Sequence, residues 1–446
     1  MNAELDFRSL SLELAVRAAG HGFPSLSTLS PPDGHRPVAS TFRTSNIDFS
    51  FFLLDVTLTT TGELRLIEAN GSNAALSSVT AGGDNARAHH MYSAFRAMPN
   101  YGNGVVLFAF QPGFLHIPEF FDRAGLFASL VQKDLGGRTY LRDTGQELGE
   151  ESITVVCGAI PDIADNVGRD GNHLTYRGRP VVFGANPNLL PELARRGIIQ
   201  PMGNGYDVDT TFYHEGVCLP LIHDKVAQQE VANGTGISPI ATAEARNIDE
   251  AKDVIHRFHQ RDKTAVGKMR AGSGGTGIEF FPPSIGSEGV ERLLTCLIED
   301  AQRKYGPEVH ATLWPIQFFE FVESTHYDRH GNPHLWDLRV ECLVSPGAVE
   351  CVPCVIRLCP EPFDPQAFRR DGVVSNLSGR NPSLRFMRLP TAMRRSKPHS
   401  VLDEVGIDSQ TLHHILESCA RWCEAAGLRS STRRDGSAPV DPYYDS

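Results

Sequence analysis

The stretch at positions 52–72, FLLDVTLTTTGELRLIEANGS, limits the possible folds more than any other part of the chain. Two runs of alternating and β-branched residues flank TTTGE, and this pattern predicts a β-hairpin. If the turn is centred between Thr61 and Gly62, Asp55 lies directly opposite Glu68 on the neighbouring strand.

Two like charges directly opposite in a sheet destabilise it. A divalent cation between them would reverse that effect, because hard cations bind carboxylate and amide oxygens. Asn70 is two positions from Glu68, so it lies on the same face of the strand and adds an amide oxygen. The pattern has two interpretations: a surface hairpin whose acids face water, which the hairpin alone favours, or a metal site formed by Asp55, Glu68 and Asn70.

Length, composition and charge limit the class of protein to which the chain can belong. The 446 residues are enough for two or three domains, and 41% hydrophobic with 21% charged residues is ordinary globular composition. The net charge of −11 argues against binding to nucleic acid or anionic membranes. No apolar run approaches membrane-spanning length, and the amphipathic, acid-containing N-terminus does not resemble a secretion signal. We expect a cytoplasmic protein and leave a homodimer open.

The nine cysteines are scattered and odd in number, which favours reduced thiols over a disulfide framework. Cys351 and Cys354 have the spacing of half a zinc site. Their segment predicts a β-hairpin, however, and residues three apart on a strand face opposite sides. We therefore expect no metal there.

The pattern of elements divides the chain into five parts. Residues 1–40 predict a helix and a linker, and residues 41–100 contain the hairpin and a polar segment. Residues 101–220 alternate strands with helices, which predicts a Rossmann-like layered unit. Residues 221–430 form a second α/β unit, and the polar tail 431–446 predicts disorder.

The segment KMRAGSGGTGI, from Lys268 to Ile278, predicts strand, glycine loop and strand. It differs from the nucleotide P-loop because its lysine precedes the glycines. Such a loop can cover phosphates with backbone N–H groups, and Lys268 can supply a point charge. An ordinary mobile loop is the alternative interpretation.

Other residues with phosphate- or metal-binding chemistry surround this loop in the sequence. Two lysines, two arginines, a glycine loop and separate acids suit a polyphosphate with its metal ions. Beyond the loop, the set is Lys225, Glu320, Asp337, Arg339, Arg357 and Asn376.

Together these segments resemble the ATP-grasp superfamily, whose members include D-alanine–D-alanine ligases and glutamate ligases that modify ribosomal proteins. The resemblance covers roughly residues 45–76 and 105–426. It assigns the metal ligands to Asp55, Glu68 and Asn70. The matching segments are Asp224-Lys225, AVGKMRAGSGGTGI, the hinge FFEFV, DLRV with the arginine strand and SNLSG after it, and LIEAN.

One feature departs from the family. There, the metal hairpin follows the helix that comes after the SNLSG segment, whereas here the hairpin at 46–72 precedes all the other segments. The resemblance therefore implies an α/β (α+β) fold: a circularly permuted ATP-grasp fold with a Rossmann-like pre-ATP-grasp domain. Its glycine-loop lobe would cover about 221–315 and its second lobe about 316–430.

The resemblance also implies the ligands and roles. ATP would bind with Mg²⁺, two ions in all, and Lys268, Arg339 and Arg357 would be catalytic. The residues that would contact the nucleotide are Lys225, Lys268, Gly272, Ser273, Gly274, Gly275, Thr276, Gly277, Glu320, Phe321, Val322, Glu323 and Asn376.

The implied reaction is that of a carboxylate–amine ligase. A carboxylate would be activated as an acyl phosphate and joined to an amine, with release of ADP and phosphate. The substrates would be small molecules, amino acids or peptides, and Arg87, His89 and His90 are candidates to contact them. The alternatives are an ATP-binding regulatory protein without turnover and a phosphotransferase.

Overall fold

The computed structural model of the chain describes most residues between 40 and 433. The described residues are 40–45, 49–70, 86–98, 101–110, 118–135, 139–145, 147–148, 152–185, 189–202, 205–208, 214–215, 224–269, 277–305, 313–327, 330–359, 361–365, 368, 373, 385–388, 405 and 407–433. The predicted N-terminal helix, most of the glycine loop, Asn376 and the tail after residue 433 lie outside these ranges.

Regular elements occupy most of the described residues. The strands are β1 Ser40–Arg43, β2 Ser50–Leu58, β3 Leu64–Asn70, β4 Gly104–Phe110, β5 Thr139–Asp143, β6 Ile153–Ala159, β7 Val167–Asp170, β8 His173–Tyr176, β9 Arg179–Gly184, β10 Pro201–Met202, β11 Gly205–Tyr206, β12 His214–Glu215, β13 Thr242–Ala245, β14 Ala265–Met269, β15 Ile278–Phe281, β16 Ile316–Glu320, β17 Thr325–Tyr327, β18 Pro333–Ser345, β19 Ala348–Leu358 and β20 Arg385–Arg388. The helices are α1 Ala86–Arg96, α2 Pro118–Leu135, α3 Ile160–Ala164, α4 Leu189–Arg195, α5 Lys225–Ala232, α6 Ile248–His259, α7 Ser287–Tyr305 and α8 Ser409–Arg433.

An eight-stranded sheet contains both strands of the hairpin. Its main order is β1-β19-β18-β2-β12, and β3 pairs with β2. Strand β2 runs antiparallel to β18 in a register that places Asp55 opposite Arg339. The hairpin therefore shares a sheet with DLRV and the arginine strand, although about 280 positions separate them in the chain.

The hairpin has the predicted pairing of Asp55 with Glu68, but the predicted turn centre is wrong. Near the turn, Val56 pairs with Leu66, so the turn is centred on Thr61. A β-bulge then adds Ile67 between the two registers and brings Glu68 opposite Asp55.

The bulge decides which face Glu68 occupies. Leu54 lies on the face that packs into the apolar core beneath helix α8. Without the bulge, Glu68 would lie opposite Leu54 and its carboxylate would enter that core. With the bulge, Ala69 takes that position instead and Glu68 faces the other side.

Helix α8 covers the core face of this sheet. The buried indole of Trp422 packs edge-on against Phe52, with ring centroids 5.3 Å apart. One side-chain oxygen of Glu424 accepts hydrogen bonds from the backbone N and the hydroxyl of Ser45, both at 2.7 Å. The segment before β2 thus lies against the last turns of α8.

A second sheet has the order β5-β6-β4-β9-β8-β7. Its first four strands are parallel, as expected for strands that alternate with helices, and the hairpin of β7 and β8 adds two antiparallel strands. The sequence interpretation missed that hairpin. Helices α1 and α2 pack between this sheet and β2 around Phe95 and Phe127.

The third sheet has the order β13-β16-β14-β15, and its pairs are all antiparallel. Helices α6 and α7 cover one face, with Phe258, Leu294 and Leu297 in the core. The other face carries Val266, Phe280 and Phe319. The chain is therefore a mixed α/β protein with several sheets. Within the described ranges, we find no helix long and apolar enough to cross a membrane.

The bulge predicts that two single-residue deletions in β3 will differ in their effect on stability. Deleting Ile67 removes the unpaired residue and keeps Glu68 opposite Asp55, so the protein should fold. Deleting Ala69 instead forces either Asn70 or Glu68 into the apolar core. We expect deletion of Ala69 to lower the free energy of unfolding by at least about 2 kcal/mol more than deletion of Ile67, because a buried polar group loses its partners. Denaturant unfolding of both variants measures this, and equal losses would contradict the assignment of the bulge.

Candidate active site

A cavity lies between the third sheet and the end of the eight-stranded sheet. It contains about 1100 Å³ of empty space, including its opening to solvent. One end is polar and the other is lined by aliphatic and aromatic side chains. The charged residues that line it are Asp55, Glu68, Lys225, Lys268, Glu320, Asp337 and Arg357.

The first lysine of the cavity opens helix α5. The side chain of Asp224 caps this helix by accepting a hydrogen bond from the backbone N of Ala227 at 3.0 Å. Lys225 follows and is buried. Its Nζ lies 3.3 Å from Oε1 of Glu68, so the helix and the hairpin are joined at the polar end of the cavity.

The second lysine lies on β14, directly opposite Gln317 on β16. The Nζ of Lys268 is 5.0 Å from the centre of the Phe319 ring, which is within cation–π range. Burial lowers the pKa of Lys268 to about 8, and the positive charge of Lys225 adds to the decrease against the opposing effects of Glu68 and Asp55. Among the described residues, no carboxylate forms an ion pair with Lys268, and Lys268 lines the cavity.

Asp55 is fully buried and is bound by neighbouring strands. Arg339 donates from Nε and Nη2 to its two oxygens, each at 2.8 Å. Nη2 of Arg357 lies 2.8 Å from Oδ2, and Nδ2 of Asn70 donates to the same oxygen at 3.0 Å. Burial raises the pKa of Asp55, but the two guanidinium groups outweigh burial and the net pKa is lowered.

This geometry bears on the predicted metal ligands. Both oxygens of Asp55 already accept hydrogen bonds from guanidinium groups, and the positive charge of Arg339 and Arg357 opposes a cation there. The carboxylate of Glu68 faces the cavity with 31% of its side chain exposed, and a hard cation fits this oxygen donor better. Among the described residues, no group of three or more His, Cys, Asp or Glu side chains is arranged to hold a metal ion.

Asp337 lines the cavity. The sequence placed it among the residues with phosphate- or metal-binding chemistry but indicated no specific role for it. It lies opposite Arg357 in the sheet, and Nε of Arg357 donates to its Oδ1 at 2.6 Å. Burial raises the pKa of Asp337 despite this pairing. Its position on β18, two residues before Arg339, is the signal in the sequence that could have identified it.

The hinge segment forms the edge of the apolar end. Glu320, Phe321 and Val322 line the cavity, whereas Glu323 is exposed and does not. The backbone N of Glu320 donates to Ala241 and that of Phe321 donates to Thr264, so both groups are used within the fold. The Glu320 carboxylate lies 2.8 Å from Nζ of Lys263.

Gly277 is the one residue of the predicted glycine loop that the structure describes. It has a φ of +66°, and a Cβ there would come within 2.5 Å of the Met269 side chain. Its backbone N donates to Asp300 at 3.2 Å. Glycine is therefore required at this end of the loop. Positions 272–276 and Asn376 lie outside the described residues, so their predicted roles stay predictions.

The candidate substrate residues of α1 do not line this cavity. The ring of His90 is buried with Nε2 at 2.9 Å from the carbonyl of Val344, and burial lowers its pKa to about 4. Arg87 is buried with its guanidinium 3.5 Å above the Phe51 ring. Both pack between the sheets, and nothing in the structure tests His89 as a substrate residue.

Comparisons with known proteins give only distant similarity. No family model and no curated protein matches the chain. Among solved structures, it is similar to a provisionally named gamma-glutamylcysteine synthetase from Methylobacillus flagellatus KT, with a TM-score of 0.47 and 10% identity over 88% of this chain and 91% of that one. It is also similar to biotin carboxylase from Campylobacter jejuni, with a TM-score of 0.37 and 14% identity over 72% of this chain and 59% of that one. At these scores neither similarity assigns a family or an activity.

The lowered pKa of Lys268 predicts how anion binding depends on pH. Above pH 8 the free protein loses the Lys268 proton, and a bound polyphosphate requires that proton back. The dissociation constant for ATP should therefore rise with pH, by up to about tenfold per unit. Lys268→Arg stays charged and should give a flat profile between pH 7 and 9.5 in calorimetric titrations. If the dissociation constant changes equally with pH in the wild-type protein and in this variant, Lys268 does not bind the phosphates.

Proposed function

We propose that this chain is an ATP-dependent ligase of the ATP-grasp type, which activates a carboxylate and joins it to an amine. The observation that carries the proposal is the arrangement of the cavity. Lys225 and Lys268 line the cavity together with four charged residues of the eight-stranded sheet, Asp55, Glu68, Asp337 and Arg357. Arg339 does not line the cavity but binds Asp55 from the neighbouring strand. The apolar end, with Phe280, Phe319 and Phe321, suits the base of a nucleotide.

The charges support a nucleotide polyphosphate as the anion. Asp55 and Asp337 balance Arg339 and Arg357, and Glu68 balances Lys225. Glu320 balances Lys263. Among the described residues of the cavity and their partners, Lys268 then leaves one positive charge. ATP would bring phosphates for both lysines, and Mg²⁺ would come with it.

Glu68 and Asn70 would hold the magnesium from the hairpin. Asp55 would join them only if phosphate draws an arginine away from it. When bound, Mg²⁺ would neutralise the charge that develops on the transferred phosphate. Arg339 and Arg357 would bind the γ-phosphate, the acyl phosphate or the substrate carboxylate.

In the proposed reaction, a carboxylate oxygen of the substrate attacks the γ-phosphorus, and the bond from phosphorus to the β–γ bridging oxygen breaks. ADP leaves, and an acyl phosphate remains. The amine then attacks the acyl carbon, phosphate leaves, and the amine loses a proton. The walls of the cavity would limit the access of water to the acyl phosphate.

We also propose that the fold is a permuted ATP-grasp fold with a Rossmann-like domain at 101–220. Two observations support the permutation: the hairpin pairs within the sheet of β18 and β19, and Ser45 contacts Glu424 on α8. An unpermuted chain would pass from α8 into the hairpin at this contact. The four parallel strands β5, β6, β4 and β9 support the second part.

The proposed activity is tested by ADP release with pools of amino acids, peptides and small carboxylic acids, with hydroxylamine as the amine. An acyl phosphate would be trapped as a hydroxamate, with one ADP and one phosphate for each hydroxamate. Glu68→Gln should keep the fold and lose at least about a hundredfold in turnover, because a metal-ligand charge is lost. Glu63→Gln, on the exposed turn, is the control.

Three results would contradict the ligase. AMP with pyrophosphate as products would exclude transfer of the γ-phosphate. A stable phosphorylated product without hydroxamate would indicate a phosphotransferase. ATP binding without turnover in any pool would support a regulatory protein.

A further inference from the structure

Helix α5 contacts β3 through two neighbouring glutamines, both buried. Gln228 binds one residue of β3 at both backbone groups. Its Nε2 donates to the carbonyl of Ala69 at 3.0 Å, and its Oε1 accepts from the N–H of Ala69 at 2.9 Å. The side-chain amide thus takes the place that the next strand of the sheet would occupy.

Ala69 lies between Glu68, which lines the cavity, and Asn70, which shares the face of β3 with Glu68 and donates to Asp55. Its N–H belongs to the peptide shared with Glu68, and its carbonyl belongs to the peptide shared with Asn70. Because each planar peptide group contains the Cα atoms on both of its sides, holding these two groups restrains the Cα positions from which both flanking side chains extend. The bulge at Ile67, immediately before Glu68, interrupts the regular pairing with β2 and increases the local twist, so the hydrogen bonds of Gln228 hold the strand where its pairing is irregular.

Contacts of helix α5 with β3 and with helix α8 hold Gln228 in place. Lys225, one turn before Gln228, holds the Glu68 carboxylate. The indole N–H of Trp422 on α8 donates to the carbonyl of Gln228 at 3.2 Å. The glutamine is therefore held by the core while its amide holds the strand.

We infer that Gln228 is a positioning residue for the metal ligands Glu68 and Asn70, an inference that rests on the proposed function. Gln228 would touch neither nucleotide nor metal. It would set the geometry in which Glu68 and Asn70 meet a Mg²⁺ ion delivered with ATP. Outer-sphere partners of this kind typically change metal affinity by about 10- to 100-fold when they are removed.

The chain supplies a matched control in Gln229. Its Nε2 donates to the carbonyl of Leu66 at 2.9 Å, and its Oε1 accepts from the N–H of Ile240 at 3.0 Å. It therefore also binds β3 through a buried amide. Its partner Leu66 lies before the bulge, however, and is not next to a predicted metal ligand. A structural role alone would give the two glutamines the same effect.

The experiment compares Gln228→Met and Gln229→Met in the full chain. Both should lower the melting temperature of the unliganded protein, because each leaves buried backbone groups without partners. For Gln228→Met, the Mg²⁺ concentration that gives half-maximal ATP binding in calorimetry should rise about tenfold or more. For Gln229→Met, it should stay within about twofold of wild type. Gln228→Glu keeps the acceptor for the Ala69 N–H, so its half-maximal Mg²⁺ concentration should lie between those of the wild type and Gln228→Met. This variant replaces Gln228→Met in the comparison if the methionine variant does not fold.

The outcomes separate the two proposals. Wild-type ATP binding that depends on Mg²⁺, with both methionine variants shifted equally or neither shifted, would overturn the role of Gln228 and leave the ligase proposal standing. Wild-type ATP binding that does not depend on Mg²⁺ would overturn the metal site, and the role of Gln228 with it.

Discussion

The buried carboxylate of Asp55 joins four neighbouring strands of the eight-stranded sheet. It lies on β2 and accepts hydrogen bonds from Asn70 on β3 and Arg339 on β18, while Arg357 on β19 forms an ion pair with it. A buried charge of this kind is strongly destabilising if its partners are removed, by about 3–5 kcal/mol for a broken pair. The hairpin is therefore tied electrostatically to strands that lie far away in the sequence, and the shape of the cavity depends on this tie.

The rest of the site follows from that position. With β2 and β3 fixed in the sheet, the bulge at Ile67 directs Glu68 toward the cavity. Helix α5 then brings Lys225 to Glu68 and its glutamines to the edge of β3. The third sheet closes the cavity from the other side with Lys268 and the aromatic residues. Acids and cations from four parts of the chain thus compensate one another around the cavity.

Local sequence patterns predicted those elements whose formation depends on the spacing of neighbouring residues. The alternation around Asp55 and Glu68 predicted their pairing, and the alternation of strands and helices after residue 104 predicted parallel strands. The turn centre was wrong because a bulge changes the register by one residue without any sign in the hydrophobic pattern. The hairpin of β7 and β8 was missed because its four-residue strands are too short for a clear period.

The details of the site could not be predicted from sequence, because they depend on contacts between distant residues. The sequence suggested Asp55 as a metal ligand, but it could not show that two arginines and an asparagine occupy its oxygens. Nor could it show that Gln228 lies against Ala69, 159 positions away. The predicted nucleotide residues at 272–276 and Asn376 remain predictions of the family resemblance.

The central claim is that the hairpin and residues 224–433 form one nucleotide-binding unit whose order in the chain is permuted. The most direct measurement is ATP binding with Mg²⁺ by a rearranged chain. Ser446 is joined to Met1 through a flexible linker, and new ends are opened between Pro99 and Asn100, after α1. We predict one cooperative unfolding transition and a dissociation constant within about threefold of that of the natural chain, because none of the described residues that line the cavity is next to the new ends in the sequence. A rearranged chain that folds cooperatively but does not bind ATP, while the natural chain does, would contradict the account.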